Sequence, residues 1–132
     1  MATLFPGSRP DAPRLKVDVG FMKFISSEKE WEKEVMSAGD GVLCIIDVYS
    51  PNWGPSEMVA GHFSNLFFDN GDDYGMRFVR ADASKISSLI EFRDNASPNF
   101  CFYLNGEMIA KIEGADIVKI KDTIFEKAPK LR

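Results

Sequence analysis

Residues 47–58 read Asp47-Val48-Tyr49-Ser50-Pro51-Asn52-Trp53-Gly54-Pro55-Ser56-Glu57-Met58. The apolar run Val42-Leu43-Cys44-Ile45-Ile46 leads into this stretch, and a long segment of helical pattern follows it. A buried strand therefore feeds a short loop and then a helix that carries Pro55 in its first turn. Proline is tolerated there because the first helical N–H has no intrahelical partner. Val42–Tyr49 is nearly all apolar, as expected of a central parallel strand covered on both faces.

Downstream, Met58, Val59, His62, Phe63, Leu66 and Phe67 trace one helical stripe that ends at Asp69-Asn70-Gly71. Met76–Val79 reads as a short strand followed by Ala81-Asp82-Ala83. Ser84–Arg93, with Ile86, Leu89, Ile90 and Phe92, predicts a third helix. Pro98–Leu104 opens another strand, and Asn105-Gly106 is a tight hairpin signal before its partner Glu107–Glu113. Gly114-Ala115 breaks that strand, and Ile117, Ile120, Ile124 and Phe125 line a final helix.

Upstream, Phe21–Ile25 predicts the first strand. Ser27 and Glu30 match a capping box before Trp31, Val35 and Met36, so a helix is expected from Glu28 to Ala38, stopped by Gly39. Residues 1–14 hold Pro6, Pro10 and Pro13 and are expected to be a flexible, proline-rich arm. A single domain then spans 15–132, opening with the alternation Leu15–Val19, an edge strand or a lead-in. The element order is βαβαβαββα, an α/β fold with a central mixed sheet flanked by helices.

The chain has 132 residues, enough for one domain with a core. Its 45% apolar content and eleven Phe mark a globular chain. A net charge of −4 and a pI near 5.0, with no basic stripe, argue against nucleic acid as a partner. The apolar runs are too short to span a bilayer, so no membrane is expected. No basic-then-apolar leader opens the sequence, which predicts a cytoplasmic location. Cys44 and Cys101 both lie in strand-like apolar runs and read as small buried hydrophobes, with a disulfide or redox role as the alternative.

The Asp47–Met58 stretch resembles the thioredoxin family, which reads Asp-x-(aromatic)-(small)-x-Trp-Cys-Gly-Pro-Cys in this place. Counted from Asp47 without a gap, Gly54 and Pro55 fall on the family's Gly-Pro. Trp53 then stands at the first, nucleophilic cysteine and Ser56 at the second. Ser97-Pro98 followed by Asn99-Phe100 matches the family's Thr-Pro-Thr-Phe loop, which faces the helix start. The resemblance implies a thioredoxin fold without its chemistry. Disulfide exchange needs one thiolate to attack and a second thiol to release the mixed disulfide, and neither is present. No enzyme activity, catalytic residue, cofactor or metal is expected.

Asp47 falls on the family's buried acid, which assists proton transfer at the resolving cysteine. With Ser56 there instead, Asp47, Gly54 and Ser56 are expected to be structural, Asp47 through a hydrogen bond or as a raised-pKa carboxyl. The surface expected to bind protein is the collar of Trp53, Pro55, Ser97, Pro98, Gly114 and Ala115. In it Trp53 is either an exposed anchor or a plug. His62, the only histidine, lacks a second ligand at metal spacing and reads as structural. Asp69, Asp72 and Asp73 lack calcium-loop order and read as a solvated turn. Asn95-Ala96-Ser97 fits a glycosylation sequon by chance.

The stretch from Phe92-Arg93 through Pro98, Phe100, Phe102-Tyr103, Gly106-Glu107 and Ala110 to Gly114-Ala115-Asp116 is more particular. It resembles the thioredoxin-like light chains of axonemal outer-arm dynein and the thioredoxin-like domains of flagellar nucleoside-diphosphate-kinase fusions. Usual members of that branch retain the Cys-Gly-Pro-Cys that this chain lacks, and the kinase half of the fusions is not expected here. The resemblance implies a light chain bound to a dynein heavy or intermediate chain in the axoneme of a cilium or flagellum. The alternative is a redox or chaperone protein acting through Cys44 and Cys101 or through a peptide-binding collar.

Overall fold

A computed structural model describes residues 20–50, 57–94 and 97–131. The expected arm 1–14, the lead-in Leu15–Val19, the helix start at Pro55 and the sequon residues Asn95 and Ala96 lie outside the described residues. The elements are β1 (Lys23–Ile25), α1 (Glu28–Trp31, continued by a π-helical turn over Glu32–Met36), β2 (Leu43–Tyr49), α2 (Glu57–Asn70) and β3 (Met76–Asp82). A 3-10 helix (Ser87–Phe92), β4 (Asn99–Leu104), β5 (Glu107–Glu113) and α3 (Ile117–Lys127) follow. The five strands form one sheet in the order β1-β3-β2-β4-β5. β1 and β2 run parallel to β3, and β4 is antiparallel to both β2 and β5. This is the mixed α/β sheet expected from the sequence.

Alternation along the strands gives the sheet two cores. Leu43, Ile45, Phe78, Phe100 and Phe102 pack with Val59, Phe63, Ile120 and Ile124 on the face covered by α2 and α3. Cys44, Ile46, Val48, Val79, Cys101 and Tyr103 pack with Trp31, Val35, Ile86, Leu89 and Phe92 on the other. Phe63, Phe78, Phe100 and Phe102 are fully buried, and each such ring contributes roughly 1.5–3 kcal/mol.

The Ser27 hydroxyl accepts from Glu30 N–H at 3.2 Å and caps α1. The reciprocal arm differs from the usual box, because Glu30 Oε1 accepts from Ser26 N–H. The expected helix to Ala38 widens instead into the π-helical turn, where Ser37 N–H bonds the Glu32 carbonyl at 2.9 Å. Glu34's carbonyl accepts from the Arg77 guanidinium at 2.7 Å and from the Cys44 thiol at 3.8 Å, bonds that tie α1 to the sheet. Gly39 follows at φ +85, the left-handed conformation that stops a helix.

The third helix expected over Ser84–Arg93 is the 3-10 helix Ser87–Phe92, with Leu89 at a non-helical ψ of 16. Asp82 Oδ1 holds Ser84 N–H and Oγ in a turn, which delays the helix start. Ile86, Leu89 and Phe92 are buried at a spacing of three, the 3-10 repeat, so Ile90 is 61% exposed rather than part of the stripe. β3 also runs beyond the expected Val79 to Asp82. The hairpin forms as expected, with Asn105 at φ 53 and Gly106 at φ 80, both positive as a type I′ turn requires. Between Phe102 and Tyr103 the β4–β5 register shifts, so Ile109 stands as an extra residue on the edge strand. α3 starts at Asp116, whose side chain accepts from Lys119 N–H at 3.1 Å.

Candidate functional site

The C-terminal end of β2 positions the candidate site. Val48 pairs with Ala81 on one side and with Asn99 on the other, and Ser50 beyond it is buried. The chain therefore leaves the sheet beside the start of β4. Trp53, Gly54, Pro55 and Ser56 come next in the sequence and lie outside the described residues. Of the expected collar, Ser97, Pro98, Gly114 and Ala115 are described. Gly114 N–H donates to the Pro98 carbonyl at 2.8 Å, which joins the segment before β4 to the turn after β5. Gly114 adopts φ +87, a conformation that disfavours any residue with a Cβ. Ser97 and Pro98 are half-buried, Ala115 is exposed, and Asn99 Nδ2 donates to the Ser97 carbonyl at 3.0 Å.

Beneath this end of the sheet, on the α2 face, Asp47 meets Arg80. The two are register partners on β2 and β3, and Arg80 Nε donates to Asp47 Oδ2 at 3.2 Å. Arg80 also lies over the Phe24 ring, 5.7 Å from its centroid. Of the two expectations for Asp47, the structural hydrogen bond is therefore present. The reading of the sequence missed Arg80. Its signal is the second of two arginines in the strand Met76–Asp82, the one at the register position of a buried acid.

Cys44 and Cys101 are free thiols on the same sheet face, both fully buried. Burial pushes the Cys44 thiol up to about 11 and the Cys101 thiol up to about 12. Both are thus protonated at neutral pH, the unreactive state. His62 is half-buried on α2, and Asp69, Asp72 and Asp73 are exposed. Among the described residues no group of three or more His, Cys, Asp or Glu could hold a metal ion, and no helix is long and apolar enough to cross a membrane.

The sheet order and its closing hairpin define a thioredoxin fold. The chain superposes on Malassezia sympodialis thioredoxin with a TM-score of 0.62 and 27% identity, covering 80% of this chain and 90% of that one. Its fold is thioredoxin-like, and its sequence relatives narrow the comparison. It is 37% identical over 101 residues to mouse thioredoxin domain-containing protein 3, a match to 76% of this chain and 17% of the relative. The chain thus spans about a sixth of that relative's length. It is also 29% identical over 108 residues to the Chlamydomonas reinhardtii dynein 14 kDa light chain of the flagellar outer arm, covering 82% of each. No family model matches the chain.

Proposed function

We propose that this chain is a non-catalytic, thioredoxin-fold light chain of axonemal outer-arm dynein, bound to a heavy or intermediate chain in a cilium or flagellum. The observation that carries this reading is the match to the flagellar outer-arm light chain, which extends over most of both chains. Two features of this chain support the loss of redox chemistry. Trp53 and Ser56 stand where the family it resembles has its cysteines, and burial holds Cys44 and Cys101 protonated. Binding then falls to the collar of Trp53, Pro55, Ser97, Pro98, Gly114 and Ala115. Its Pro98 and Gly114 are held together by a backbone bond.

The test is a native pull-down of tagged chain from a high-salt extract of flagellar axonemes, with mass spectrometry as readout. Dynein heavy and intermediate chains recovered in fixed ratio, with or without reductant, are expected. Loss of both on adding reductant would show a thiol link, and recovery without any dynein would overturn the assignment.

A further inference from the structure

Among the described residues β1 borders the sheet, and its outer side carries no strand. The direction of its backbone groups follows from β3. Leu43 N–H bonds the Gly75 carbonyl and Ala83 N–H bonds the Tyr49 carbonyl, so the odd-numbered residues of β3 turn toward β2. The even-numbered ones alternate away, and Arg80 therefore faces β1. Opposite Phe24 in a parallel pair, Arg80 bonds the residues on either side of it, Lys23 and Ile25. The N–H and C=O of Phe24 thus point to the open edge, as by the same alternation do those of Met22. The Phe24 ring is open as well. It lies on the α2 face with the Arg80 guanidinium 5.7 Å from its centroid, and the residue is 51% exposed. Outward ladder groups beside a half-bare ring suit an added strand.

The chain that enters β1 can supply one. Gly20 and Phe21 form a turn just before Met22, and Gly at the first central position is what a two-residue type II′ hairpin loop demands. Such a loop would set Val19 opposite Met22, Asp18 opposite Lys23 and Val17 opposite Phe24. Its hydrogen-bonded pairs would be Val19–Met22 and Val17–Phe24, which use the two residues whose backbone faces outward. A three-residue loop would instead call on Lys23, whose groups serve β3. The same register sorts the side chains. Val17 and Val19 would share the face of Phe24 and Met22, and Asp18 would stand beside Lys23 with the opposite charge.

We infer that residues 15–19 dock on this edge as a sixth strand, antiparallel to β1, with Val17 covering the Phe24 ring. β1 and β2 both run parallel to β3. The start of the added strand, at Leu15, therefore lies at the end of the sheet where β2 leads toward the collar. The proline-rich residues 1–14 then depart from the collar end rather than from the opposite one. The inference holds whether or not the partner is a dynein, so the pull-down and the test below succeed or fail separately.

The test is NMR on the intact chain, by NOE and amide hydrogen exchange at two protein concentrations. A close Hα–Hα contact between Asp18 and Lys23 is expected, the mark of a non-hydrogen-bonded antiparallel pair, together with slowed exchange at the Phe24 amide. Val17→Pro removes the N–H that would bond the Phe24 carbonyl, so the contact and the protection should both disappear. Asp18→Lys should speed Phe24 exchange roughly threefold, the scale of one cross-strand charge pair, and adding Lys23→Asp should restore it. Unchanged shifts at Asn105 and Gly106 will report that each variant keeps the fold. A missing Asp18–Lys23 contact, or Phe24 exchange indifferent to Val17→Pro, would overturn the inference. Protection that grows with protein concentration would give the edge to a second copy of the chain and overturn it equally.

Discussion

Asp47 and Arg80 form an ion pair across neighbouring strands at 3.2 Å, with 1% and 3% of their surfaces exposed. In the family this chain resembles, the equivalent acid serves a cysteine's proton. Here the sequence has Ser56 in that cysteine's place, and the acid's guanidinium partner joins β2 to β3. Removing one member of a buried pair strands the other charge, which costs about 3–5 kcal/mol. Arg80→Met is therefore expected to destabilise the fold by about that much in urea unfolding. Combining it with Asp47→Leu should recover most of the loss, because an apolar pair of similar volume carries no desolvation penalty. A double variant no more stable than the single one would refute this account.

The two buried thiols make stability depend on alkaline pH. An unfolded cysteine ionises near 8.5, and the folded thiols only at about 11 and 12. Their contribution is fully present below the unfolded value, because both states are then protonated. Above it the unfolded chain releases protons that the folded chain keeps, so stability falls as pH rises toward the folded values. The denaturation midpoint should be lower at pH 10 than at pH 7, and Cys44→Ala with Cys101→Ala should flatten that difference. Neither thiol should label in the folded chain at neutral pH at a rate approaching that of a free cysteine.

The 3-10 helix gives adjacent residues opposite roles. Leu89 is fully buried and Ile90 is 61% exposed. Leu89→Ala is expected to cost about 2–5 kcal/mol through the cavity it leaves, and Ile90→Ala no more than about 0.5 kcal/mol. Similar losses for both, measured by thermal unfolding, would place Ile90 back on the buried stripe.

Gly75 lies where β3 begins, with its carbonyl accepting from Leu43 N–H at 2.9 Å. A Cβ there would collide with the Gly41 carbonyl oxygen, which is backbone and has no side-chain freedom to yield. Gly75→Ala should destabilise by about 1–3 kcal/mol, whereas Gly41→Ala, with open space around its Cβ position, should be nearly neutral.

Trp53→Ala tests the collar. If Trp53 anchors the partner, binding to the dynein chain recovered by pull-down should weaken by about 2 kcal/mol or more, with the unfolding midpoint little changed. Unchanged affinity would make it a plug and move the interface elsewhere.

Strong local signals made most of the fold legible. Asn105-Gly106 has only one favourable turn to form, and the alternating Phe100 and Phe102 can bury on only one face. The hairpin turn and the strand before it formed as expected because the physics is contained in a few consecutive residues. The misreadings came from contacts made at a distance. Ile90 fits a 3.6-residue stripe as well as Leu89 does, and only the packing of Ile86, Leu89 and Phe92 chooses three per turn. The π-helical turn is likewise invisible from its own residues, since Arg77, 43 positions away, takes the Glu34 carbonyl. At the candidate site, the family resemblance pointed to Asp47 and to the Pro98 and Gly114 segments. The cation facing Asp47 lies 33 residues downstream and only strand register reveals it.

The extra residue at Ile109 bears on how copies of this chain can be crowded together. β5 is one edge of the sheet, and an unbroken edge is a template on which another strand can grow. The bulge interrupts the spacing of that edge, and Glu107, Lys111 and Glu113 place charges along it. Among the described residues the opposite edge is β1, which is three residues long. Neither border invites strand-by-strand polymerisation, so a filament-like stack of these domains is disfavoured even at high local concentration. Contacts with neighbours are left to loops, helices and side chains, whose docking can be undone without unravelling a sheet.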